Sequence, residues 1–286
     1  MFDFYQLRKN KVHRFQPKIS IFSEKGPYIL KTVTDSEELV EALKLRYQVF
    51  HREMIGKKKS YGVDVDEFDF ICDHLVIIDQ RLDRIIGTYR LNSSLFSKRF
   101  YSANEFNLRN ILETQGNKLE LGRACIQKDY RNGIVISLLW RGIAEYMQKS
   151  NSEILFGCAS IKTDNPREAA LLYRHFAGQE RFVDHLLCPP TLQYSMPGLG
   201  SWIESFNRPL TEAENKEAVD LIPPLCRAYL KAGAVLGGEP AYDVEFKCID
   251  FLTILRRDNL NRALWKKYDL NPQSQTVSHL SELITA

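Results

Sequence analysis

The sequence predicts one mixed domain of the α/β or α+β class, and three observations carry that expectation. Helix-period and strand-period apolar patterns alternate from residue 35 almost to the end. A strand–loop–helix–strand unit occupies the middle of the chain, between Leu119 and Ala159. No fixed-period repeat, low-complexity tract or Gly/Ser linker divides the 286 residues, a length that allows one large or two small domains at roughly 100–200 residues each.

The first helix signal is Asp35-Ser36-Glu37-Glu38, a capping-box-like start followed by Leu39, Leu43, Tyr47 and Phe50 on one face, with Arg46 near the same stripe. A polar stretch at residues 57–61 and the acidic run Asp64-Val65-Asp66-Glu67-Phe68-Asp69 separate it from Cys72-Asp73-His74. The apolar run at 75–78 then reads as a buried strand, 80–84 as a polar turn and 85–91 as the antiparallel partner. The strand pattern at 119–126 contains Gly122, which suggests a bulge or a close backbone approach. Beyond the loop 127–133, Ile136, Leu139, Trp140, Ile143, Tyr146 and Met147 recur at helical spacing, and 154–159 reads as a further strand. Asn165-Pro166 opens a helix carrying Ala169, Leu172, Tyr173 and Phe176, with proline in the first turn, where its missing N–H costs nothing. A helix from Pro223 towards Gly233, a Gly237-Gly238 turn and a strand at 249–255 complete the pattern.

Composition excludes several classes. With 44% hydrophobic and 26% charged residues, this is an ordinary globular chain, able to bury about 75% of its unfolded surface. A net charge of +3 is too near zero for a wholesale nucleic-acid binder. The charge is uneven: residues 1–33 hold seven basic residues and two acidic ones, so this basic N-terminal arm is +5 and the remainder −2. Residues 34–270 then form the single domain, and 271–286 a polar tail. The six cysteines are scattered, without a Cys-x-x-Cys pair, and read as buried free thiols in a reducing compartment. No apolar segment follows the basic N-terminus and no stretch approaches the ~18 apolar residues of a membrane span. The expected location is cytoplasmic.

Several side chains stand out chemically. The loop Lys128-Asp129-Tyr130-Arg131-Asn132-Gly133, between a strand and a helix, has free N–H groups, a helix dipole and Arg131 to offer an anion; an ordinary connecting turn is the alternative. Glu120 sits inside an apolar strand, where a carboxylate is costly unless paired or protonated. Either its pKa is raised, as suits a general base, or it pairs with Arg123, which strand parity permits only with a bulge at Gly122. The acidic run with Asp69 and Asp73 holds a cation or is a solvated loop, and it lacks the calcium-loop pattern. Arg46 and Arg90 grip a carboxylate or pair with those aspartates. No Ser/His/Asp or Cys/His arrangement is present, and His74 reads as structural.

Five strings occur in order: Leu45-Arg46-Tyr47-Gln48-Val49-Phe50, Cys72-Asp73-His74-Leu75, Gly87-Thr88-Tyr89-Arg90-Leu91, Glu120-Leu121-Gly122-Arg123 and Tyr130-Arg131-x-Gly133. As a set they resemble the bacterial ornithine-lipid N-acyltransferases of the GNAT superfamily, also called lyso-ornithine-lipid synthases and hemolysin-like proteins. The likeness continues through Leu139-Trp140-x-Gly142-Ile143, Gly157-Cys158-Ala159-Ser160, Pro223-Pro224-Leu225 and Gly238-Glu239-Pro240-Ala241, covering roughly residues 35–270. The first and fourth strings are also similar, more distantly, to acyl-homoserine-lactone synthases.

This resemblance implies a GNAT-type fold: a central mixed, mostly antiparallel sheet with a splayed strand pair, flanking helices and a C-terminal elaboration. It implies transfer of a long, 3-hydroxylated acyl chain from acyl carrier protein to the α-amine of ornithine, giving lyso-ornithine lipid. Acceptors such as glycine, lysine or an aromatic amino acid, and a non-catalytic acyl-carrier or lipid sensor, are the alternatives. Carried over position by position, it makes Tyr130, Arg131, Asn132 and Gly133 the holders of a phosphopantetheine phosphate and the strand at Cys125 and Ile126 the rail for that arm. Glu120 becomes the proton acceptor, directly or through water, while Arg46, Asp69, Asp73, Arg90 and Arg123 line or brace the acceptor side. No metal or resident cofactor is implied; acyl-phosphopantetheine on the carrier protein, or acyl-CoA, is a co-substrate. The single glycine of the loop fits a one-phosphate carrier arm better than the pyrophosphate of free coenzyme A. The expected partners are acyl carrier protein and the amino-acid acceptor, with no nucleic acid. The +5 arm would meet the acidic carrier or, peripherally, the anionic inner membrane, or is plainly solvated.

Overall fold

Nine strands gather the alternating patterns into one sheet, in a computed structural model that describes residues 15–56 and 62–260. They are β1 (Phe22–Lys25), β2 (Tyr28–Thr32), β3 (Asp73–Asp79), β4 (Arg84–Ser93), β5 (Asn117–Ile126), β6 (Ser152–Ile161), β7 (Val235–Leu236), β8 (Ala241–Asp243) and β9 (Cys248–Arg256). The spatial order is β1-β2-β3-β4-β5-β6-β9-β7, with β8 also on β9, and every pairing is antiparallel except β5 with β6. This is the mixed, mostly antiparallel sheet that the resemblance implied.

The first hairpin corrects the reading of residues 1–33 as an arm. β1 and β2 pair from Phe22↔Lys31 to Lys25↔Tyr28, and β2 continues the ladder onto β3. Ile19, Ile21 and Leu30 are buried in the main core. Lysines on the open face hid the strands: Lys31 reaches outward to Glu38 at 2.5 Å while Leu30 and Thr32 point inward. The remaining basic residues Arg8, Lys9, Lys11 and Arg14, the lysines at 57–59 and the polar tail lie outside the described residues.

Helix α1 (Ser36–Arg46) begins as expected at Asp35, whose side chain accepts from the N–H groups of Glu37 and Glu38. Glu38 reaches back to the N–H of Thr34 rather than Asp35, so the capping box is displaced by one residue. The helix runs on as a widened, π-helical stretch, Tyr47–Ile55. Leu39 and Leu43 pack on Val76 from one side of the sheet. From the other side, Leu139 and Ile143 of the later helix Ile134–Lys149 pack on Leu75 and Ile77. Burial on both faces explains why 75–78 is an unbroken apolar run, and each such side chain contributes roughly 1.5–3 kcal/mol.

In chain order, α2 (Arg109–Glu113) precedes β5, and α3 (Ile134–Lys149) links β5 to β6. α4 (Pro166–Gly178) starts on the Asn165 cap with Pro166 in its first turn and stacks Phe176 edge-on against Phe251 of β9, centroids 5.1 Å apart. α5 (Leu199–Ser205), α6 (Glu212–Leu221) and α7 (Pro224–Ala232) complete the C-terminal cover. No described helix is long and apolar enough to cross a membrane.

The feature that positions the site is where β5 and β6 part. They pair only from Asn117↔Ser152 to Glu120↔Phe156. Beyond that point β5 stays with β4 as far as Ile126, and β6 stays with β9 as far as Ile161. At the crotch a Cβ on Gly157 would stand 2.1 Å from the carbonyl oxygen of Leu121, so only glycine lets the strands converge and then separate. The expected bulge is present but displaced. Between Thr88↔Cys125 and Arg90↔Gly122, β5 carries one residue more than β4, and the left-handed residue is Arg123, at φ 51°. That conformation costs a non-glycine residue roughly 1–2 kcal/mol, and it swings the Arg123 guanidinium out of strand alternation.

Candidate active site

The fork opens into a cavity of about 520 Å³. One wall is β5 from Glu120 to Ile126; the other is Cys158, Ala159 and Ser160 of β6. Leu225, Cys226 and Tyr229 of α7 close one side, and Val49, Phe50 and Met54 of the π-helical stretch another. Cys125 and Ile126 thus lie along the wall where the rail was expected. The hydroxyls of Tyr89 and Tyr229 bond each other at this lining.

Arginines and aspartates form a buried network beside the cavity. Arg46, fully buried, donates to Asp64 at 2.8 Å and to both oxygens of Asp69 at 2.6 and 3.2 Å. Arg90 bridges Asp66 and Asp69 at 2.6 and 2.9 Å, and Arg123 donates to Asp66 at 2.9 Å while stacking 4.8 Å from the Tyr101 ring. Three arginines thus balance three aspartates. Burial opposes the charges of Asp64 and Asp69, yet Arg46 together with His51 and Arg123 at Asp64, and with Arg90 at Asp69, outweighs it, holding the carboxyls well below the usual range. His74 is the converse: burial pulls its pKa down to about 4 despite Asp69, leaving it a neutral, structural histidine.

Of the residues expected on the acceptor side, Arg90 and Arg123 reach the cavity lining, whereas Arg46 and Asp69 stand behind it as braces. Asp73 is elsewhere. It accepts from the N–H groups of Lys18 and Ile19 and from the Tyr146 hydroxyl, tying the N-terminal segment and α3 to β3.

Glu120 lies at the fork and lines the cavity, but among the described residues it pairs neither with Arg123 nor with another cation. Its two oxygens accept the N–H groups of Tyr101 and Ser102, at 2.9 and 2.7 Å. The carboxylate therefore orients the turn Tyr101–Asn104 while facing the fork.

In the anion loop, only Arg131 lines the cavity, and its guanidinium already grips Glu53 bidentately at 2.5 and 2.8 Å. Tyr130 donates to Asp79, Asn132 accepts from the N–H of Ile134, and Gly133 starts α3 at φ 91°. The first N–H of the helix, that of Ile134, is thus already satisfied by Asn132, and an anion at this helix start would have to use the N–H groups that follow it or displace that side chain.

The cysteines do not supply a nucleophile. Cys72, Cys125, Cys188, Cys226 and Cys248 are buried, and burial pushes the Cys125 and Cys226 thiols up to about 12. Cys158 lines the cavity, but burial, then Glu105, raises its thiol well above the ordinary value.

The structure adds a group absent from the sequence expectations. Glu105, Asp243 and Asp250 line the cavity together, with one oxygen of each within 4.8 Å of the others, and form the cluster among the described residues that could hold a metal ion. Burial, then Asp250, pushes the Glu105 pKa well up; burial, helped by Asp243 and opposed by the Ser160 hydroxyl, raises that of Asp250. Asp250 carried the signal that singled out Glu120, a carboxylate inside an apolar strand. A carboxyl that holds its proton more tightly when folded costs stability above its ordinary pKa of ~4.3, increasingly so until the folded group ionises. Glu105→Gln is therefore expected to raise the thermal midpoint little at pH 5 and by several degrees at pH 9. Calorimetry at both pH values checks this; equal shifts would mean that the carboxyl ionises in the fold without penalty.

A family model described as an acetyltransferase (GNAT) domain matches residues 45–141, the stretch from Arg46 through the anion loop. The L-ornithine N(alpha)-acyltransferase of Brucella abortus (strain 2308) is 33% identical over 229 residues, covering 75% of this chain and 79% of that protein. The protein of the same name from Agrobacterium fabrum (strain C58) is 29% identical over 256 residues, covering 84% of each. Among solved structures, a CoA-dependent acyl-homoserine lactone synthase aligns at TM-score 0.45 and 15% identity over 82% of this chain and 83% of that one. An N-acyl amino acid synthase from uncultured soil microbes aligns at TM-score 0.46 and 9% identity, covering 83% and 97%. The fold is of the GNAT type and the protein is an acyltransferase. With that identity and coverage, on a sheet that splays over a cavity holding Glu120, Arg90 and Arg123, the chain belongs to the L-ornithine N(alpha)-acyltransferase family.

Proposed function

We propose that this acyltransferase moves a long-chain, 3-hydroxylated acyl group from acyl carrier protein to the α-amine of ornithine, giving lyso-ornithine lipid. The observation that carries the reading is the parting of β5 and β6 over a cavity lined by both strands. The phosphopantetheine arm enters along β5 past Cys125 and Ile126, with its phosphate at Arg131 and the start of α3. Between the strands, the β5 edge freed from pairing offers backbone N–H groups to the thioester oxygen. The neutral α-amine attacks the carbonyl carbon, the C–N bond forms, the C–S bond breaks and the carrier thiolate leaves with the bond's electron pair. Glu120 takes the amine proton through water, and Arg123 and Arg90 face the acceptor carboxylate, braced from behind by Arg46 and Asp69.

Incubating the protein with acyl carrier protein or CoA thioesters of graded length and hydroxylation, and a panel of amino acids, tests this by mass spectrometry. Ornithine with 3-hydroxyacyl carrier protein is the expected best pair, and a different amine or donor would replace those parts of the reading. Arg131→Ala is expected to raise the donor KM about tenfold, the worth of a charged hydrogen bond, with kcat little changed. Glu120→Asp, which keeps an acceptor for the Tyr101 and Ser102 N–H groups, is expected to lower kcat about 100-fold; an unchanged kcat moves the proton acceptor elsewhere. Glu120→Gln is a poorer probe, because its amide sets a donor against one of those N–H groups.

A further inference from the structure

The two sides of the cavity treat buried charge in opposite ways. On one side, Arg46, Arg90 and Arg123 neutralise Asp64, Asp66 and Asp69. On the other, Glu105, Asp243 and Asp250 converge with no lysine or arginine nitrogen within 4 Å among the described residues. Glu105 lines the cavity, is 1% exposed, and its buried Oε2 has no hydrogen-bond partner. Asp250 is 3% exposed, and its contacts are the Ser160 hydroxyl at 2.5 Å and the Cys248 thiol at 3.8 Å. Asp243 accepts the N–H of Phe246 at 2.9 Å. None of these partners carries a positive charge.

A buried carboxylate without a countercharge is among the most costly groups a fold can keep. Here burial and mutual repulsion raise the proton affinity of Glu105 and Asp250, whereas the arginines beside Asp64 and Asp69 do the reverse. A site in that condition gains most from a cationic ligand that brings its own N–H donors. The acceptor named above, on whose assignment this step rests, carries such a group: a primary ammonium at the end of a three-carbon side chain. Arg123 lies close enough to favour the charged form of Asp250, so a carboxylate partner and an ammonium partner face the same space.

We propose that Glu105, Asp243 and Asp250 form the subsite for the side-chain ammonium of a diamino acid acceptor, and so decide which amino acid is acylated. The α-carboxylate turns to Arg123, the side-chain nitrogen donates to the three carboxylates, and the α-amine is left at the fork beside the thioester. Held as an ammonium by the cluster, the side-chain nitrogen has no lone pair for attack. Acylation at the α position follows from that difference.

The test compares ornithine with norvaline, which has the same three side-chain carbons without the amine, using the full-length protein and one acyl thioester. The expected kcat/KM for norvaline is lower by at least about 100-fold, and Asp250→Asn narrows the ornithine-to-norvaline ratio at least tenfold. Norvaline acylated as well as ornithine overturns the subsite while leaving amino-acid acylation standing. No transfer to any amino acid from any thioester overturns the functional reading, and the subsite with it. Activity abolished by a chelator and restored by a divalent cation would assign the cluster to a metal, against the proposal. The comparison on the unaltered protein decides the matter even where Asp250→Asn fails to fold.

Discussion

Gly157→Ala is expected to abolish acyl transfer and to destabilise the protein by about 3 kcal/mol or more. Overpacking usually costs about 1–3 kcal/mol when neighbouring side chains can yield. Here the obstacle is backbone: the new methyl would lie 2.1 Å from the Leu121 carbonyl oxygen and 3.2 Å from its carbon. Relief requires prising β5 from β6 at the last pair before they diverge, Glu120↔Phe156, which carries the carboxylate assigned to proton removal. Chemical denaturation and an acyl-transfer assay read the two effects. Gly122 is the contrast, since a Cβ there meets nothing closer than the Arg90 Nε at 3.9 Å. Gly122→Ala should unfold near the wild-type midpoint, and equal losses at both glycines would refute the crotch as the tight point.

Arg46→Met is expected to cost about 3–5 kcal/mol, the range for breaking a buried ion pair from one side. Methionine fills much of the space, so the loss is electrostatic: Asp64 and Asp69 remain buried with one positive charge too few. The effect has a pH signature. Carboxyls held low in the folded state contribute stability that is fully present above the ordinary aspartate pKa of ~3.9 and is lost as pH falls towards their folded values. Removing Arg46 weakens that hold, so the stability gap between wild type and Arg46→Met should be widest near neutral pH and shrink below pH ~4. A gap constant across that range would assign the loss to packing.

Long, strongly patterned elements were legible from residues alone. The recurrence from Ile136 to Met147 specifies α3 because one face packs on the sheet, and the run at 75–78 specifies β3 because both faces are covered. The hairpin β1–β2 was not legible, since short strands with charges on their open face look like a solvated arm. At the site, the apolar setting of Glu120 marked it as unusual, but not its partners. Those are N–H groups of Tyr101 and Ser102 in an irregular stretch with no periodicity to read. The acid cluster was less accessible still. Asp243 and Asp250 meet locally through the pairing of β8 with β9, but Glu105 is brought to them by tertiary packing across more than 100 residues of sequence, and no spacing rule joins it to them.

The limited contact between β5 and β6 also bears on the order in which the molecule assembles. Everything on one side of the fork, β1 to β5, precedes residue 127 in the chain, and everything on the other, β6 to β9, follows residue 151. The first half can zip up through antiparallel neighbours as it leaves the ribosome. The parallel β5–β6 contact must await the crossover through α3, and the acid cluster must await β8 and β9. The catalytic cavity is therefore the last part of the sheet to exist: a nascent chain is structured well before it is competent.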